Sequence, residues 1–109
     1  METVTRADVL ARFGYALSDA TRCRLLLALR EAPSYPAHLA ELLGVSRQLV
    51  SNHLACLRGC GLVVAVPEGR RVRYELADAR LHHALGDLLS VVLAIDPAHC
   101  PAAGGEGCC

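Results

Sequence analysis

The stretch "YPAHLAELLGVSRQLVSNHLACLRGCGLV", residues 35 to 63, decides the fold. Pro36 stands where a helix starts, Leu39, Leu42 and Leu43 recur at helical spacing, and Gly44 supplies the stop. Ser46 then caps a second helix. Two helices joined by a tight glycine-containing turn make a helix-turn-helix. In such a unit the N-terminal residues of the second helix reach base edges, which makes Ser46, Arg47, Gln48, Ser51 and Asn52 the candidate DNA readers. Arginine can bridge guanine, glutamine and asparagine can bridge adenine, and serine can bond base or phosphate. His53, next to Asn52, is a further candidate for a phosphate contact. Taken alone, these residues fit a plain polar face on a surface helix equally well.

The segment downstream breaks the tie. Residues 62 to 78, "LVVAVPEGRRVRYELAD", give two β-rich runs around Pro67-Glu68-Gly69, a hairpin of the kind called a wing. Arg70, Arg71 and Arg73 fall on or beside the strand after that turn, where a wing meets phosphates or a minor groove. The whole chain has a net charge of zero, yet Ser46 to Arg73 holds Arg47, Arg58, Arg70, Arg71 and Arg73 against Glu68 alone. Positive charge is therefore concentrated on the segment expected to face DNA.

Upstream, Val9, Leu10, Phe13 and Leu17 recur at helical spacing over residues 8 to 17. A second helix follows Ser18 or Asp19, carries Leu25, Leu26 and Leu29, and ends before Pro33. A last helix is predicted from about Ala79 to Ile95, stopped by Asp96-Pro97. Its apolar residues (Leu81, Leu85, Leu88, Leu89, Val91, Val92, Leu93, Ile95) cover more circumference than one core needs, and such excess marks an interface. The order predicts a mainly α winged helix-turn-helix with one β-hairpin, homodimeric through the first and last helices. Residues 1 to 96 are expected to form one DNA-binding and dimerisation domain, with 97 to 109, "PAHCPAAGGEGCC", a flexible cysteine-containing tail.

No apolar run approaches the eighteen or so residues of a membrane span, and the N-terminus lacks a basic-then-apolar leader, so a cytoplasmic protein with no membrane partner is expected. In a reducing compartment the six cysteines are free thiols, and close spacing among them points to metal or redox chemistry. No glycine-rich phosphate loop or metal-hydrolase His-Glu motif is present, so an enzyme is not expected.

The segments "LSDATRCRLLLAL", "LAELLGVSRQLVSNHLACLRGCGLV" and "GRRVRYEL" resemble the ArsR/SmtB metal-sensing repressors over nearly the whole chain except the last dozen residues. "NHLACLRGCGLV" followed by a late cysteine resembles the cadmium- and lead-sensing CmtR branch. The resemblance implies a homodimer that binds double-stranded operator DNA when metal-free and releases it when metal binds. Two metal sites of that family find no match: no histidine follows His82 and His83 farther along the last helix, and "AHLAELLGV" contains no cysteine.

What remains is Cys56 and Cys60. At i and i+4 on a helix both sulfurs share one face, near enough to chelate one ion. The bland alternative is two small buried hydrophobes. Two thiolates alone make a weak site, so a third ligand is required. Cys100 matches the branch's late cysteine, with His99 a weaker neighbour. Three thiolates without a fourth ligand suit large soft ions, Cd(II) or Pb(II), better than Zn(II), which in structural sites wants four. Cys23, Cys108 and Cys109 are left over and could supply a second soft-metal site, or respectively a core cysteine and a reactive terminal pair. Two other functions stand beside the metal-responsive repressor. One is a thiol redox sensor on the same fold, although a disulfide between helical i,i+4 cysteines would strain the helix. The other is a winged helix used only for protein contacts, which leaves the arginine wing unexplained.

Overall fold

The computed structural model describes residues 4–94, so the expectations for residues 97 to 109, including Cys100, Cys108, Cys109 and His99, lie outside the described residues. The elements run α1 (Arg6–Ala16), α2 (Ala20–Glu31), α3 (Pro36–Leu43), α4 (Arg47–Gly59), β1 (Val63–Glu68), β2 (Arg71–Leu76) and α5 (Ala79–Ala94). This is the expected winged helix-turn-helix. α1 starts two residues before Asp8, because Thr5 and Asp8 form a reciprocal capping box: the Thr5 hydroxyl accepts from Asp8 N and the Asp8 carboxylate from Thr5 N, both at 3.1 Å. Of the two candidate caps for α2, Asp19 takes the role, accepting from Arg22 N at 3.0 Å, while the Ser18 hydroxyl donates to Tyr15 O.

The helix-turn-helix is held by its turn and by the helix behind it. Gly44 sits at φ 70°, a left-handed conformation that costs a side-chain-bearing residue roughly 1–2 kcal/mol. Arg24 of α2 donates to Leu43 O at 2.8 Å, satisfying a carbonyl that α3 leaves without an intrahelical donor. Ser46 caps α4 by accepting from Leu49 N at 3.0 Å. On the inner face of α4, Val50, Leu54 and Leu57 are fully buried against Leu25 and Leu26 of α2, Leu39 of α3 and Val63 of β1. That packing fixes how far α4 stands proud of the domain.

The hairpin turns later than its sequence suggests. Pro67 and Glu68 belong to β1, paired with Val72 and Arg71, and the turn is Gly69-Arg70 with Gly69 at φ 61°. A proline is tolerated here because a two-stranded sheet leaves each strand an unpaired edge. A further bridge, Ser34 N to Tyr74 O at 2.9 Å and Tyr74 N to Ser34 O at 2.7 Å, ties β2 to the segment between α2 and α3. α5 buries only Leu85, leaving Val91, Val92 and Leu93 more than half exposed, as are Val9 and Leu10 on α1.

Replacing Leu54 by Ala should lower the unfolding free energy in urea by about 2–5 kcal/mol, the range for emptying a well-packed aliphatic site. A loss well under about 1 kcal/mol would show that α4 is not seated on the core through this face.

Candidate functional site

A helix turns about 100° per residue, which divides α4 into three longitudinal stripes. Val50, Leu54 and Leu57 form the buried one. On one flank Arg47, Gln48, Ser51 and Asn52 are exposed together. On the other, His53, Cys56 and Cys60 fall within an arc of roughly 60° and are half-buried.

The exposed stripe is already organised. Gln48 Nε2 donates to Asn52 Oδ1 at 3.0 Å, leaving an amide oxygen on one residue and an amide nitrogen on the other to face outward. Arg47 and Ser51 share with Tyr35, Arg70, Arg71 and Val72 a groove of about 380 Å³ between the start of α4 and the wing. Wing and reading helix thus flank one cationic channel, the arrangement needed for a phosphate strand to pass between them.

Within the wing the arginines divide. Arg70, at the turn, and Arg71 are exposed. Arg71 lies 3.5 Å above the Tyr35 ring, and the Tyr35 hydroxyl donates to Glu68 at 2.6 Å, a bond that raises the tyrosine pKa. Arg73, expected as a phosphate contact, is instead half-buried and engaged by Glu68 and Glu75, its Nε 3.6 Å from the latter. Its charge braces the hairpin by pairing with Glu68 on β1 and Glu75 on its own strand. His53 also departs from expectation. Its side chain is only 15% exposed and turns toward Asp19, with Nε2 3.6 Å from the carboxylate, and toward Arg22, away from the reading stripe. The sequence position beside Asn52 concealed this, since one residue along a helix is 100° around it.

The thiol pair sits where the spacing put it. Cys60 N donates to Cys56 O at 3.0 Å, so helical geometry persists into the cap and keeps both side chains on one flank. Burial raises the pKa of the Cys60 thiol, the charge of Cys56 and a hydrogen bond with it raise it further, and Arg12 and Arg22 pull it back down. Among the described residues no cluster of three or more His, Cys, Asp or Glu is arranged to hold a metal. The pair therefore offers two donors, soft and adjacent, that need completion from elsewhere. Cys23 is separate: its sulfur donates to Leu17 O at 3.2 Å and lines an apolar cavity of about 130 Å³ with Leu26, Leu85, Leu88 and Val92. Sequence reasoning missed Arg22, a buried cation reaching His53, Tyr35 under Arg71, and Arg24 behind the turn. In "DATRCR" Arg22 and Arg24, two residues apart, follow one acid, with no hint of which arginine points inward.

Comparison with known proteins agrees with this fold. The sequence pattern of the bacterial regulatory protein, arsR family, matches residues 19–64. The chain is 62% identical over 91 residues to the HTH-type transcriptional regulator CmtR of Mycobacterium tuberculosis, covering 84% of this chain and 77% of that one. It is 37% identical over 107 residues to a probable mercury resistance operon repressor of Streptomyces lividans, covering 94% and 84%. The NMR structure of the cadmium metal-sensor CmtR from Mycobacterium tuberculosis superposes with a TM-score of 0.67 at 58% identity, over 89% of this chain and 99% of that one. A homodimeric winged helix-turn-helix DNA-binding domain from Mycobacterium bovis superposes with a TM-score of 0.78 at 26% identity, over 89% and 90%.

Because burial and the neighbouring thiol both hold the proton on Cys60, its alkylation, followed by peptide mass mapping across pH, should show a midpoint above that of an ordinary cysteine. In Cys56→Ser the midpoint should fall, leaving burial opposed by Arg12 and Arg22. A midpoint at or below that of free cysteine would mean that the pair does not face itself as described.

Proposed function

The chain belongs to the ArsR family of bacterial regulatory proteins, and on that premise we propose that it is a repressor which binds operator DNA as a metal-free homodimer and leaves it when Cd(II) or Pb(II) is taken up by Cys56, Cys60 and Cys100. The observation that carries the reading is that the thiol pair stands on the same helix as the exposed Arg47, Gln48, Ser51 and Asn52. A ligand held on one flank of α4 must constrain how the other flank meets a groove.

The donor set fits the metal. Two half-buried thiols on one face, deprotonated and joined by a third, make a soft site that Zn(II), with its demand for four ligands, would fill less well. Cys100, past the end of α5, is the third donor by its chemistry and by the likeness to a cadmium sensor. A second soft site from Cys23, Cys108 and Cys109 stays within this reading, with Cys23 half-buried beneath α5.

The uncovered apolar residues of α1 and α5 support dimerisation, since an exposed stripe containing Leu10 and Leu93 is costly for a lone chain in water. A two-fold pair of such chains places two α4 helices against half-sites about one DNA turn, ~34 Å, apart. If the thiols of α4 and the cysteine beyond α5 share one ion, reading head and dimer frame are tied together. Any mismatch between that tie and the half-site spacing sets metal against DNA, reciprocally and typically by about 1–3 kcal/mol per linked pair. Each thiol must lose its proton to bind, and the raised pKa of Cys60 means the proton competes more strongly as pH falls. Metal affinity should therefore drop on acidification.

On the DNA side, Arg70→Ala and Arg71→Ala should each weaken specific and random duplexes alike and reduce the slope of log affinity against log salt by roughly one unit. Unchanged slopes would remove the wing from the interface. Arg47→Ala or Gln48→Ala should cost roughly 1–3 kcal/mol and relax base preference. For the metal, Cys100→Ser should bind operator when metal-free, show fewer sulfur-to-cadmium bonds by ultraviolet absorption, and stay on DNA when cadmium is added. Full cadmium-induced release by that variant would show that Cys100 is not part of the sensing site.

A further inference from the structure

Arg22 is a buried cation at 8% exposure, and among the described residues no carboxylate lies within ion-pair distance of it. Its Nε donates to Ala16 O at 3.0 Å, and its Nη2 donates to Tyr15 O at 2.9 Å and Ser18 Oγ at 3.1 Å. These three contacts hold the end of α1 to the start of α2. The remaining arm, Nη1, leaves that corner and lies 3.5 Å from His53 Nδ1 on α4. A guanidinium can only donate, so Nδ1 accepts and the imidazole proton sits on Nε2, aimed at the Asp19 carboxylate 3.6 Å away. Asp19 is also the cap of α2. One histidine thus joins the α4 flank that carries Cys56 and Cys60 to the corner between α1 and α2.

We propose that the Arg22–His53 contact reports the state of the thiol pair to the reading helix, with both residues acting as positioning groups rather than ligands. The proposal rests on the reading of Cys56 and Cys60 as metal donors. Each thiol that binds gives its proton to solvent, and three thiolates around a divalent ion leave one net negative charge on the stripe that His53 shares. A buried cation that makes no close ion pair is drawn toward such a charge. Of the hydrogen bonds Arg22 makes, the one to His53 is the longest, so it is the one that yields. Exchanging His53 for the thiolates moves the hold of the α1–α2 corner along that flank of α4 while the α1 contacts persist. The positive charges of Arg12 and Arg22 already bear on the Cys60 thiol in this sense.

The test uses the full-length reduced protein and a duplex selected by the metal-free wild type from a random library. His53→Leu should bind cadmium with unchanged stoichiometry and ultraviolet absorption, yet the ratio of operator affinities without and with cadmium should shrink on the order of tenfold, within the range of a single coupling term. His53→Gln, whose amide can accept from Arg22 and donate to Asp19, should recover part of that ratio. A wild-type ratio in His53→Leu would overturn the proposal. Should that variant fold poorly, Asp19→Asn keeps the α2 cap and removes the charge facing His53, and its ratio should shrink in the same way; an unchanged ratio counts against the proposal. Independently of DNA, long-range proton–nitrogen spectra of the imidazole should show the Nε2–H tautomer in the metal-free wild type and a change at Nδ1 on cadmium saturation. An imidazole indifferent to bound cadmium would overturn the Arg22–His53 switch even if the repressor reading holds. A protein that binds cadmium with the imidazole change but never leaves DNA would instead overturn the repressor reading.

Discussion

The seating of α4 through Val50, Leu54 and Leu57 is the constraint on which the rest depends. Those three side chains fix the helix in rotation as well as in position. Because the buried stripe occupies one side, Arg47, Gln48 and Ser51 fall to one flank of it and the thiols to the other, with Asn52 one turn from Cys56. A ligand can then act on one flank without occupying the other. A slip of one residue in the packing of α4, about 100° of rotation, would swing Cys56 into the reading face.

Electrostatics follows the same division. On the DNA side, Arg47, Arg70 and Arg71 remain exposed around an open groove, while Arg73 is neutralised by Glu68 and Glu75 and keeps the hairpin upright. On the thiol side, Arg22 is buried and held chiefly by carbonyl oxygens. On the proposed reading, one cation set meets an external polyanion and the other answers charge that forms at the thiols. Neutral overall composition conceals both.

Much of this was legible in the sequence because local signals carried it. Gly44, Ser46, Pro36 and the leucine spacing specify the helix-turn-helix through backbone conformation and capping, and Cys56 and Cys60 share a face by helical period alone. The shift of the hairpin turn from Pro67-Glu68-Gly69 to Gly69-Arg70 was hidden because proline usually ends a strand, a rule that an edge strand escapes. The inward course of Arg22, the withdrawal of His53 and the neutralisation of Arg73 depend on residues distant in the chain or across a strand, which no spacing within one element encodes. The early start of α1 is a milder case, since Thr5 and Asp8 form a cap only when read as a pair.

The central claim is that one event on the thiol flank of α4 is felt on its reading flank. The most direct measurement follows sulfur-to-cadmium absorption and operator anisotropy together as cadmium is added to the reduced wild-type protein on DNA. The account predicts that both signals break at the same metal equivalence, with operator affinity falling ~100-fold or more if two coupled sites per dimer add. Thiolate absorption that saturates while the protein stays on DNA would contradict it.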